Sequence, residues 1–365
     1  MTKPTRLAPL DALRGILIIL MALDHANSFI AHGKLEPEMW SDLFPNYANQ
    51  PPIIFLTRLV THLAAPGFFF LMGAGMILLA ASRHRQGWSE GQIVRHLLLR
   101  GGLLILLQFL LENLAWSLGG VLGGTIYFGV LYALGGAMMI GTLFLRLPQR
   151  WLIGLCTTLI VAIQLLLPET RTSFVVYPLP LRLWLLPGFS DNVSVLYPLM
   201  PWVGVTGLGM AYGRCLQKDH VQAYKLAFWL GLSAVILFVL LRWWGGFGNI
   251  RPPASEDWVA FLNLVKYPPS VTFLLLTLGV NGLLLALLAQ LPEGWLRPFT
   301  LFGRVPLFFY LTHLFLYGLM GRFVQTDIPG MYPYWLLGLL ILGPLCWAYG
   351  RFKDGRSPKS MWRYL

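Results

Sequence analysis

The stretch Leu10–Ile30, LDALRGILIILMALDHANSFI, is long and apolar enough to cross a bilayer, yet it carries Asp11, Arg14, Asp24 and His25. Ionisable groups inside a membrane span are costly in hydrocarbon and mark function by default. Arg14 and His25 stand eleven residues apart. That is about three helical turns, which returns them to one face about 16 Å apart along the axis. A histidine with a carboxylate neighbour is a candidate general base. Asp24 is adjacent in sequence, so on a helix it points about 100° away from His25; it either orients the imidazole or meets an acceptor. Arg14, which Asp11 one turn earlier can neutralise, suits a phosphate-bearing ligand at the other end. An acyl donor of the coenzyme A type has phosphates at one end and its thioester at the tip of a long arm. That arm covers the separation between Arg14 and His25.

Other apolar runs carry titratable groups at a similar depth. His62 (THLAAPGFFF), Glu112 with Asn113 (LLENLAW) and His313 (FFYLTHLFL) all fall in the outer halves of their runs. The inner side offers Arg14, Arg83, Arg85, Arg95, Arg100 and Arg304. Each group also has a plain structural reading. Arg14 can snorkel with Asp11 as partner. Asp24 and His25 can join helices. His62, His313 and Glu112 can be satisfied packing groups. Arg304 lies nine residues before His313, so an unkinked helix points the two apart unless Pro306 turns it. The shared depth favours a joint site. His25, Asp24, His62, Glu112 and His313 are the catalytic candidates, with Asn113 or a second histidine as donor to a developing oxyanion. Arg14, Arg304, Arg100 and Arg95 are the donor-binding candidates, and no metal site is evident.

Holding such groups at depth takes membrane helices. The 365 residues are 56% hydrophobic and 12% charged, with mean hydropathy +0.65, whereas a soluble domain carries about 25% charge. Apolar runs occur at about 10–31, 54–80, 96–118, 124–146, 150–167, 195–214, 224–244, 270–290, 298–321 and 334–352. The expected fold is all-α, a polytopic bundle of about ten transmembrane helices in a single domain over 1–365. The second run is long enough to be tilted, or broken at Pro66. With the N-terminus inside, the inner segments hold 17 Lys and Arg against 8 in the outer ones, which places both termini in the cytoplasm. The net charge of +12 therefore reports topology, not nucleic acid. Cys156, Cys215 and Cys346 give neither a disulfide framework nor a metal spacing, and no cleavable signal is evident. The long outer segments 32–53, 168–194 and 245–269 are rich in Pro, Trp and Tyr, where a recognition surface would sit.

At this point the motifs become recognisable. RLAPLDALRGILIILMALDH resembles the opening motif of the transmembrane acyltransferase superfamily, whose Arg, ten residues, His spacing falls on Arg14 and His25. FLTRLVTHLAAPGFFFLMGAG (55–75), YPLMPWVGVTGLGMAYGR (197–214), KYPPSVTFLLLTLG (266–279) and FGRVPLFFYLTHLFLY (302–317) are similar to its bacterial branch. That branch is related to the catalytic domain of heparan-alpha-glucosaminide N-acetyltransferase. The resemblance implies acyl-CoA, with acetyl-CoA the expected donor, bound from the cytoplasm. It implies transfer to a sugar, glycan or amino-sugar acceptor across a bacterial inner membrane. It carries a catalytic role onto His25 and a donor-binding role onto Arg14; onto His62, Lys266 and His313 it carries only membership of the motifs. The lysosomal branch lacks the Asp–His pair and uses a later histidine, for which His32 is the nearest counterpart, so both His25 and His32 stand as the base. The expected partners are membrane lipid, acyl-CoA and the acceptor, with oligomeric state open. The competing readings are a proton-coupled secondary transporter using the buried acids and histidines, which would want an inverted repeat not evident here, and a non-catalytic assembly factor.

Overall fold

A computed structural model describes residues 7–31, 38–41, 51–168, 177–190 and 192–356. His32 lies outside them. The first helix, α1 (Ala8–Ile30), carries Pro9 and Asp11 in its first turn, a residue pair suited to a helix N-terminus. Next come α2 (Pro52–Thr61) and α3 (Ala64–Arg85), one 34-residue apolar segment interrupted at His62 and Leu63. Pro66 lacks an N–H, and its ring crowds the carbonyl four residues back. That carbonyl belongs to His62, so the break falls there and not at the proline. A capping box between Ser89 and Gln92 opens α4 (Glu90–Leu107). A π-helical turn (Gln108–Glu112) joins it to α5 (Asn113–Leu118). A turn with Gly120, Gly123 and Gly124 at positive φ reverses the chain.

The chain then forms β1 (Ile126–Phe128), α6 (Val130–Gly141), α7 (Gln149–Leu166), α8 (Leu179–Trp184), β2 (Gly188–Ser190) and β3 (Val193–Val195). In this small sheet β3 lies between the other two, parallel to β1 and antiparallel to β2. After it come α9 (Leu199–Lys218), α10 (His220–Trp244), α11 (Trp258–Leu262), α12 (Val271–Leu288), α13 (Glu293–Gly303), α14 (Pro306–Phe323) and α15 (Ile328–Asp354).

Ten spans were expected. Among the described residues seven segments are long and apolar enough to cross a membrane, or eight if the α13–α14 pair, bent by 65°, is one span. The run at 124–146 shrinks to Val130–Phe144 because the glycine turn and β1 take its start. The run at 195–214 becomes α9, whose Thr206, Tyr212, Arg214 and glycines lower its hydropathy. Most of α9 is buried in protein, and a helix shielded from lipid does not need an apolar surface of its own.

Helix α1 is the hub, packing on α2, α3, α12, α13, α14 and α15. It meets α13 backbone to backbone. A Cβ at Gly15 would lie 1.9 Å from the Phe299 carbonyl oxygen, and one at Gly303 1.8 Å from that of Asp11. Neither side can yield without shifting a helix. Gly303→Val is therefore expected to destabilise the protein by at least ~1–3 kcal/mol, read as a lower unfolding temperature in detergent, whereas Gly294→Ala, in open space, leaves it unchanged.

The third long connection is tied down by Arg242. Its guanidinium donates to the carbonyls of Phe261 (2.7 Å), Arg251 (2.8 Å), Ala260 (2.8 Å) and Asn263 (2.9 Å) and to Asn249 Oδ1 (2.8 Å). The segment thus held leads into Lys266 and Tyr267, which pair with the first long connection. The Lys266 and Tyr267 N–H groups both donate to Glu38 O, and the Trp40 N–H donates to Tyr267 O at 2.8 Å.

Candidate active site

His25 and His313 meet across the α1–α14 contact, 288 residues apart, with His25 Nδ1 2.6 Å from His313 Nε2 and their rings stacked. The other nitrogen of His313, Nδ1, lies 2.9 Å from the Phe309 carbonyl. A carbonyl only accepts, so His313 Nδ1 carries the proton and its Nε2 carries the lone pair. His25 Nδ1 must then donate across the pair, which leaves the lone pair of the neutral His25 on Nε2. His313 is fully buried while His25 is only partly so; the reachable basic nitrogen belongs to His25. Trp116 and Tyr310 set their rings edge-on to His25 at 5.2 and 6.2 Å.

Asp24 does not orient the imidazole. It joins a second cluster centred on Arg58, whose Nη1 donates to Asp24 Oδ1 while Nε and Nη2 fork onto the two Glu38 oxygens at 2.7 and 2.8 Å. Thr61 also donates to Asp24 Oδ1. His62 Nε2 lies 3.5 Å from Glu38 Oε1, and His62 Nδ1 has no hydrogen-bond partner among the described residues. Lys266 is 3% exposed and lies over the Tyr267 ring at 5.1 Å. Its charge acts on Asp24, His25, Glu38 and His62. Burial alone would raise the Glu38 carboxyl, but the Arg58 guanidinium outweighs it and holds the group down at about 2. Two carboxylates thus face two cations. Bidentate pairing of this kind makes a buried ion cluster tolerable.

Glu112 ends the π-turn and is buried beside Tyr310, Gln108 and Trp116. Its Oε2 has no hydrogen-bond partner among the described residues. Asn113 is engaged by Gln108, which also donates to the Tyr127 carbonyl.

On the Arg14 side of these clusters lies a cavity of about 340 Å³. Arg14, Arg100, Arg304 and Lys353 line it, and its walls are largely Leu and Met, including Met21, Met72, Met76 and Met138. A long, flexible and mostly apolar arm fits such walls. Along α1 the lining runs through Arg14, Ile18 and Met21; along α14 it runs through Pro306, Leu307 and Tyr310. The cavity therefore ends one turn short of His25, which does not line it. Tyr310, which does, touches both histidine rings. A second cavity of about 330 Å³ between α13 and α15 shares Arg304 and Lys353 with the first and adds Arg297 and Arg351. Arg14 Nη1 is already committed to Asp11 (2.7 Å) and to the Gly303 carbonyl (3.0 Å) at the α13–α14 bend.

The placement of the sequence candidates is uneven. His25 and His313 form one pair, Asp24 and His62 belong to the Arg58 cluster, and Glu112 adjoins Tyr310. Arg14, Arg100 and Arg304 reach the cavity, Arg304 because the chain bends between it and Pro306. Arg95 does not: it is exposed, five residues before Arg100 and so about 140° around α4. Lys353, Arg58, Glu38 and Tyr310 were not singled out. The lysine sits in a basic run that topology already explained, and Glu38 in a long loop. No three His, Cys, Asp or Glu side chains gather to hold a metal among the described residues.

The family model for the catalytic part of heparan-alpha-glucosaminide N-acetyltransferase matches residues 6–246. The match covers Arg14, Asp24, His25, Arg58, His62 and Glu112, whereas Lys266, Arg304, Tyr310, His313 and Lys353 lie beyond it. No curated protein matches the chain.

Proposed function

The chain belongs to the heparan-alpha-glucosaminide N-acetyltransferase catalytic family, and from that premise we propose that it moves an acetyl group from acetyl-CoA on the cytoplasmic side to a sugar or amino-sugar acceptor on the far side of the membrane. Its apolar helices make it an integral membrane protein. The observation that carries the reading is the cavity with four cations at its Arg14 end and Tyr310, in contact with His25, at the other. The cations receive the phosphates and the Leu–Met walls receive the pantetheine arm. Met21 stands between the arm's tip and the histidine layer, so the thioester passes it by side-chain rotation and comes to lie beside Tyr310.

The acceptor O–H or N–H gives its proton to His25 Nε2 as its lone pair attacks the thioester carbonyl. Coenzyme A leaves as thiolate and takes that proton from His25. His313 is a positioning residue: it fixes the tautomer that leaves the lone pair on Nε2. The test is acceptor-dependent thiol release from acetyl-CoA by the purified protein in liposomes. Solute uptake with no coenzyme A release would favour a transporter instead.

Donor binding makes its own prediction. Removing one charge-assisted hydrogen bond costs ~1.5–3 kcal/mol, so Arg304→Ala or Lys353→Ala is expected to raise KM for acetyl-CoA by about tenfold or more. Arg95→Ala leaves it unchanged. Steady-state kinetics at varied acetyl-CoA check this. Arg14→Ala is a poorer probe because it also releases the α1–α13 contact.

A further inference from the structure

Acyl transfer needs a hydrogen-bond donor for the oxygen that becomes negative as the thioester carbonyl is attacked. The sequence offered Asn113 or a second histidine. Neither reaches the donor cavity: Asn113, whose Oδ1 accepts from Gln108, and His62 do not line it, nor does His313, whose two nitrogens bond His25 and the Phe309 carbonyl. Tyr310 sits in the position they leave open. It lines the end of the donor cavity. It is 6% exposed, and its ring stands edge-on to His25 at 6.2 Å and to His313 at 5.5 Å. Its hydroxyl neighbours Glu112, whose Oε2 has no hydrogen-bond partner among the described residues. A phenylalanine would fill the same space, so packing gives no reason for a phenol here.

Resting on the acyltransferase reading above, we propose that Tyr310 is a catalytic residue whose Oη–H donates to the thioester carbonyl oxygen. The acceptor lone pair forms the new bond to the carbonyl carbon, and the π pair moves onto oxygen, where Tyr310 holds it without giving up its proton. Collapse restores the carbonyl and breaks the C–S bond; the thiolate takes the proton that His25 removed from the acceptor.

The experiment is isotope-edited infrared spectroscopy of [1-13C]acetyl-CoA bound to the detergent-solubilised full chain, wild type against Tyr310→Phe, with no acceptor needed. A hydrogen bond to the carbonyl lowers its stretching frequency, so the bound band lies below that of free acetyl-CoA in the wild type and returns toward it in Tyr310→Phe. In turnover with glucosamine as probe acceptor, the same substitution lowers kcat about 10²–10³-fold with KM for acetyl-CoA unchanged. A bound band at the same frequency in both proteins, or undiminished kcat in Tyr310→Phe, overturns the assignment. Absence of any bound band in the wild type overturns the donor reading beneath it, and this assignment with it. An unfolding temperature for Tyr310→Phe equal to that of the wild type separates loss of the hydroxyl from loss of the fold.

Discussion

His25→Ala is expected to lower acetyl transfer by about 10²–10⁴-fold, the range that a positioned general base supplies, while acetyl-CoA still binds. The separation follows from geometry. The cavity is lined up to Met21 and Tyr310 but not by His25, so truncating the imidazole leaves untouched the residues proposed to hold the phosphates and the pantetheine arm. KM for acetyl-CoA therefore stays near its wild-type value and the loss falls on kcat, the signature of an interaction used in the transition state. His313→Gln should lose less than His313→Ala, because an amide oxygen can still accept from His25 Nδ1 whereas a methyl group cannot. A merely structural histidine would show no such order. His32→Ala provides the contrast: transfer unaffected by it leaves His25 as the base, and kinetics of the four variants on one preparation decide the matter.

The second large effect is on stability. Arg58→Ala removes the guanidinium that holds Asp24 and both oxygens of Glu38, and leaves the two carboxylates without the cation they share. Breaking a buried ion cluster by removing one member costs ~3–5 kcal/mol, because the remaining charges keep their desolvation penalty without compensation. Arg58→Lys should rescue only part of this, since a point ammonium cannot fork across a carboxylate. Acid unfolding gives an independent reading. The folded Glu38 carboxyl titrates at about 2, below its ordinary 4.5, so its contribution is complete above the ordinary value and is lost as pH falls toward the folded one. In Arg58→Ala that contribution disappears, and the variant should unfold at a higher pH than the wild type. Unfolding in detergent at pH 7 and along an acid titration measures both effects.

Much of this was legible from short-range pattern. Helix α1 could be read whole, because the eleven-residue interval between Arg14 and His25 fixes their relation on any α-helix. The break in α2–α3 followed from Pro66, though it falls at the carbonyl four residues earlier. The membrane-spanning count did not follow from apolar run length alone. Helix α9 is screened from lipid by its neighbours, and the run containing Arg304 bends by 65° at a proline whose effect on direction cannot be read from spacing.

The site itself depends on contacts across long intervals. Nothing local joins His25 to His313 or Arg58 to Glu38. Tyr310 looks like one more aromatic residue on an apolar helix until the cavity and the histidine pair are seen on either side of it. Asp24 shows the opposite failure: adjacency in sequence suggested service to His25, but the 100° per residue of a helix turned it toward Arg58.

The central claim is that an acetyl group crosses the protein while coenzyme A stays on the side it came from. The direct test uses proteoliposomes of fixed orientation, with acetyl-labelled CoA supplied only at the Arg14 face and glucosamine, as probe acceptor, enclosed at the other. Labelled N-acetylglucosamine inside the vesicles, with free coenzyme A appearing only outside, is the predicted result. Product formed only when donor and acceptor share a compartment, or coenzyme A itself carried across, would contradict it.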